Sequence, residues 1–139
     1  MQTTTISNSA DVIDSRDIIA RIAALQAERD NCPTDIGDDA SPEQRATTWA
    51  RDYPEDAAEL AALESVAEQG EGYAADWHHG ETLIHDDYFT RYAMELLTDC
   101  GDLPKDLPWY VVVDEEATAR NIQADYGAID FDGETYWIR

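Results

Sequence analysis

Lysine is almost missing from this sequence. Of nine basic residues eight are arginine, and Lys105 stands alone. No basic patch interleaved with aromatics exists to grip a phosphate backbone, so direct nucleic-acid binding is not expected. Cysteine is scarce too. Cys32 and Cys100 lie far apart and form no CxxC pair, which removes zinc ribbons and dithiol redox motifs and leaves two free thiols. The seven glycines are scattered, never in the GxGxxG or GxxxxGK order that cradles phosphate. There is no GxSxG elbow, and neither cysteine sits in a nucleophile context. No run approaches the roughly 20 apolar residues of a membrane span, and no charged-then-apolar signal region opens the chain. The expectation is a cytoplasmic protein that is not an enzyme, needs no cofactor and does not touch membrane.

What the chain does have is acid. Thirty-one Asp and Glu face the nine bases, giving a formal net charge of -22. Such a field repels nucleic acid and anionic membrane and opposes compaction through self-repulsion. It attracts strongly basic surfaces, most often those of proteins that bind nucleic acid. The acids run from Asp11 to Glu134 rather than forming a tail, so the folded surface itself must carry them. A second reading competes: a small acidic regulatory or assembly protein whose charge is adaptation to salty solvent, with no bearing on partners.

A hydrophobic share of 43%, four Trp and seven Tyr supply a core for one domain of 139 residues. Residues 1–10 are polar and aperiodic, and are expected to fray. From 11 onward a single domain is expected, helical over 11–75 and followed by a C-terminal module over 81–139. "DSRDIIARIAALQAERD" reads as a helix, capped by Asp14 or Ser15, with Ile18, Ile22 and Leu25 at i, i+4, i+7. Ser41-Pro42 opens a short helix. Pro54 starts a longer one with Leu60, Leu63 and Ala67 on one stripe and Glu55, Asp56, Glu59, Glu64 and Glu68 on other faces. Gly70 is expected to stop it.

"HHGETLIHDDYF" (78–89) holds all three histidines and two adjacent aspartates. His78 and His79 are adjacent and His85 is six residues on, so no HExxH or HxH spacing appears. Glu81, Asp86 and Asp87 could serve as oxygen ligands or as an acid–base pair. The simpler expectation is loop histidines at a helix entrance, with no metal and no catalytic residue. From Asp86 the spacing predicts a helix whose stripe is Phe89, Tyr92, Ala93, Leu96 and Leu97, with Asp86 and Asp87 at its cap and first turn. "WYVVV" (109–113) predicts a short strand or extended segment. Asp114 caps a further helix expected to end at Gly127. "AIDFDGETYWIR" predicts a hairpin on an Asp-Gly type I′ turn, Phe131 opposite Glu134, with Ile129, Phe131, Tyr136 and Ile138 on one face. The fold class is α+β, three to five helices with a small C-terminal antiparallel sheet.

Residues three or four apart on a helix lie roughly 5–6 Å apart at Cβ, and DNA phosphates are separated by a few ångströms of rise per strand. Rigid acidic helices can therefore stand in for a phosphate row. The candidate surface comprises Asp87, Glu95 and Asp99, then Glu115, Glu116 and Asp125, and finally Asp130, Asp132 and Glu134 of the C-terminal unit.

Residues 81–139 also resemble a module of small acidic proteins encoded by phages, prophages and plasmids. Leu83, Ile84, Tyr88 and Phe89 match its opening. Asp114, Ala117, Asp125 and Tyr126 match its helix and D-Y element, and Phe131, Asp132, Gly133, Tyr136, Trp137 and Arg139 match its hairpin. The stretch from Asp114 to Tyr126 is similar to a segment of ArdA-type antirestriction proteins, elongated acidic DNA mimics that occupy the DNA groove of type I restriction enzymes. Val113 and Glu115 depart from the I-D-W of the pattern. The resemblance implies an anti-defence protein that binds a basic DNA-binding complex of the host cell, restriction enzyme or CRISPR effector. It also implies that a mimic this short needs either a homodimer or a smaller target surface.

Overall fold

In the computed structural model, residues 4–104 and 106–139 are described, and the fold is built outward from the C-terminal hairpin. Asp132 (φ 49°) and Gly133 (φ 89°) are both left-handed, as a two-residue type I′ turn requires. The turn joins β3 (Gly127–Phe131) to β4 (Glu134–Ile138) with Phe131 opposite Glu134, the expected register. Ile129, Phe131, Tyr136 and Ile138 share one face and are buried.

Two more strands extend this pair, and neither was expected. "TLIH" is β2 (Thr82–His85), which pairs with β4 through Ile84–Trp137 and His85–Tyr136. Val12–Asp14 is β1, paired with β2. Among the described residues the result is a four-stranded antiparallel sheet of order β1-β2-β4-β3, joined with five α-helices in an α+β fold. The first and last thirds of the chain thus share one sheet.

Both faces of the sheet are covered. Helices α1 (Ser15–Asp30), α2 (Pro42–Asp52) and α3 (Pro54–Tyr73) pack Ile18, Leu25, Trp49, Leu60, Leu63 and Val66 with the Leu83–Tyr136–Ile138 face. Helices α4 (Asp86–Asp99) and α5 (Glu115–Gln123) pack Phe89, Ala93 and Ala119 with Ile84 and Trp137 on the other face. Alternation along the two central strands, β2 and β4, therefore feeds two cores at once.

Helix ends follow local chemistry. Asp14 accepts the Arg16 N–H at 2.9 Å, Ser41 and Gln44 form a reciprocal capping box, and Asp114 accepts the Ala117 N–H at 3.0 Å. Residues 5–10 lie against the body: the Ile6 N–H donates to Glu59, and the Ala10 carbonyl accepts the Tyr136 hydroxyl at 2.6 Å. Residues 1–3, the rest of the segment expected to fray, fall outside the described residues.

Three expectations need correction. Gly70 does not stop α3, which continues to Tyr73; the six-membered ring of Trp77 lies on it, so closely that a Cβ would overlap the ring. The last helix ends at Gln123, because Gly127 is the first residue of β3. Trp109–Val113 is no strand: it belongs to the α4–α5 connection, with Trp109 93% and Val112 88% exposed. Its β-propensity finds no neighbouring strand, and propensity without a pairing partner does not make a sheet.

Candidate acidic interface

The histidine stretch is a strand-to-helix junction. His85 ends β2, is buried, and caps α4: its Nδ1 accepts the Asp87 backbone N–H at 3.0 Å. This corrects the expectation that Asp86 supplies the cap; Asp87 lies in the first turn as expected, and Asp86 joins it there. The imidazole edge meets the Tyr136 ring at 5.0 Å between centroids, and its Nε2 lies 3.9 Å from Glu134 Oε1. Asp86 does a different job, accepting the Trp137 indole N–H at 2.9 Å and tying α4 to β4. His78, in the turn after α3, is exposed and lies 3.5 Å from Glu71. Among the described residues no group of three or more His, Cys, Asp and Glu is placed to hold a metal ion.

All nine candidate carboxylates are exposed. On α4, Asp87, Glu95 and Asp99 belong to a row of i+4 steps, each turning about 40° at 3.6 residues per turn. Arg91 occupies the remaining place in that row and donates to Glu95 at 3.2 Å. Glu115 and Glu116 occupy the first turn of α5, where the positive end of the helix dipole favours them. Glu116 also borders a cleft of about 330 Å³ between α4 and α5, with Asp86 and Arg120. Asp125 follows the end of α5.

The hairpin acids lie elsewhere. The backbone of Asp130 exchanges two hydrogen bonds with the Gln69 side chain of α3, at 2.9 and 3.0 Å, leaving its carboxylate exposed. The carbonyl of Asp132 accepts from Asn8 at 3.2 Å. Glu134 and Asp87 flank His85, each 3.9 Å from a ring nitrogen. Seven of the nine acids therefore lie on or beside α4, α5 and the β2–α4 junction, where Asp87 and Glu134 meet, and Asp130 and Asp132 are bordered by α3 and the N-terminal segment.

Few of these charges are compensated. Among the described residues, arginine–carboxylate pairs join Arg16 to Asp14, Arg21 to Glu59, Arg29 to Asp30, Arg51 to Asp52 and Arg91 to Glu95. Among the described residues, only Glu95 of the nine candidates has such a partner. The field reaches inward as well. Burial, then the charges of Glu134 and Asp11, push the Tyr136 hydroxyl up to about 12. Burial and the neighbouring Tyr92 raise Tyr126.

One exposed feature escaped the sequence reading: the apolar run Trp109, Tyr110, Val111 and Val112. Pro104 and Pro108 upstream of it were the available sign of an irregular connection. Compared with known proteins, the chain matches no family model, no curated protein and no solved structure.

Proposed function

We propose that this protein is a stoichiometric inhibitor that presents a DNA-like acidic surface to a basic, DNA-binding defence complex, a restriction enzyme or a CRISPR effector. It acts by occupancy and has no catalytic residue. The observation that carries the reading is the set of nine exposed carboxylates on short, capped elements, of which only Glu95 is neutralised by an arginine among the described residues. Fixed carboxylates with no arginine ion-pair partner among the described residues release a partner's bound anions and steer its approach as phosphates do. The α4–α5 layer is the principal face, since α4 and the first turn of α5 carry Asp87, Asp99, Glu115 and Glu116 on rigid backbone.

The test is competition with DNA. Wild-type protein should displace DNA from its target, with affinity falling steeply as salt rises. Replacing Asp87, Glu95 and Asp99 together by Lys should weaken inhibition at least about a hundredfold, because like-charge juxtaposition costs several kcal/mol at an interface. All three side chains are exposed, so the far-ultraviolet spectrum should not change. Equal behaviour of the two proteins on every candidate complex would remove the mimicry reading in favour of a regulatory or assembly protein with solvent-adapted charge.

A further inference from the structure

A groove of about 410 Å³ runs between α1 and α3, on the opposite side of the sheet from α4 and α5. Its two walls differ. The α1 wall is Ile19, Ile22, Ala23 and Gln26, with no charge. The α3 wall carries Glu64, Glu68 and Glu71 at i, i+4, i+7, all exposed and spanning about 10 Å at 1.5 Å rise per residue. Ala67, Trp77 and His78 complete the lining, with His78 Nε2 3.5 Å from Glu71 at one end of the row.

One end of this groove is fixed in place. Ser15, fully buried at the start of α1, donates to the Trp77 carbonyl and accepts the Glu81 N–H, both at 2.7 Å. The turn carrying Trp77 and His78 is thereby tied to α1. Trp77 is 1% exposed, yet its Nε1–H has no acceptor among the described residues. Buried donors of that kind are uncommon in a completed structure, where nearly all find an acceptor.

We propose that this groove docks a basic amphipathic helix of a partner protein. Charge decides the occupant. An apolar helix face would fill the Ile19–Ile22–Ala67 floor, and Lys or Arg at i, i+4, i+7 on its flank would meet the three glutamates. A second copy of this chain does not suit. At net charge -22 it would bring acid against acid, and its nine basic residues are scattered rather than set in such a row. This site is separate from the acidic face of α4 and α5, and does not depend on the function proposed for that face.

Calorimetric titration of the full chain with two synthetic peptides tests the proposal. One carries Lys at i, i+4, i+7 beside a Leu/Ala face; the other is its scramble, equal in composition and charge but without segregation. The segregated peptide should bind at least about tenfold more tightly than the scramble, as expected where geometry adds to charge. Glu64→Gln, Glu68→Gln and Glu71→Gln combined should remove at least about tenfold of that affinity. The same change in charge on the other side, Asp99→Asn with Glu115→Gln and Glu116→Gln, should remove less than about threefold, since distant exposed charges are screened. No binding, equal binding of the scramble, or equal losses in the two triple variants would each overturn the groove and leave only bulk attraction.

Discussion

Tyr136 joins parts of this molecule that are far apart along the chain. Its ring packs between His85 and Phe131, and its hydroxyl reaches Ala10. That hydroxyl must stay protonated to donate, and burial with the nearby acids holds its pKa up to about 12 against an ordinary 10.0. A folded-state pKa raised above the unfolded one gives stability that is whole below the unfolded value and lost as pH climbs through the folded one. Stability should therefore hold to about pH 10 and fall between about 10 and 12, by up to about 3 kcal/mol at 1.36 kcal/mol per unit. Tyr136→Phe should lose about 1 kcal/mol at neutral pH with the hydrogen bond, and should show a shallower alkaline decline. Urea melts of both proteins across this range separate Tyr136 from the other tyrosines. Parallel alkaline curves would mean the hydroxyl is not held as described.

At the scale of elements, α3 is the clearest case of tertiary context reversing a local rule. Gly-to-Ala inside an ordinary helix gains about 1 kcal/mol. At Gly70 the added methyl would overlap the Trp77 ring, which is itself buried and cannot swing away. Gly70→Ala should therefore destabilise, by roughly 1–3 kcal/mol as overpacked cores do. A urea midpoint equal to or above wild type would show that the ring relaxes freely. The same helix contributes Glu59 to the nearly buried pair with Arg21, at 2.7 Å, which locks α3 to α1 and holds Arg21 firmly protonated. Helix positions were legible in the sequence because caps, dipole-favoured acids and i, i+4 stripes all act within a few residues. The hairpin was legible for the same reason. β2 was not, because its four residues show no long alternation and abut a helix at once. The cap on α4 was misassigned because Asp is the commoner capping residue, whereas here strand pairing delivers His85 to that place.

For the molecule as a whole, charge is the dominant fact. Thirty-one acids are spread over three layers, so much of the self-repulsion acts through solvent and is open to screening. The Debye length falls from about 30 Å at 0.01 M salt to about 8 Å at 0.15 M. Stability should rise across that interval, by on the order of 1 kcal/mol, and then level off. A flat or falling urea midpoint would mean that the charges are too dispersed to repel appreciably. A rise that continues into molar salt would favour solvent adaptation over mimicry. The candidate acids were legible only as a list. Their partition between the α4–α5 side and the border of α3 follows from the order β1-β2-β4-β3, which sends the two halves of the C-terminal module to different neighbours.

The sequence by itself determined the net charge, the helix starts, the Asp-Gly turn and its register, since each rests on composition or on contacts between residues close along the chain. Only the tertiary structure decided that Val12–Asp14 and Thr82–His85 are strands and that Gly70 is a seat for Trp77. It alone set Trp109–Val113 outside the sheet and left a groove with one acidic wall between α1 and α3. These depend on partners far along the chain, as with the Tyr136 hydroxyl on the Ala10 carbonyl 126 residues away. Local propensity carries no information about which distant surface arrives, and it is that arrival which satisfies a strand edge, buries an indole or leaves an apolar wall open.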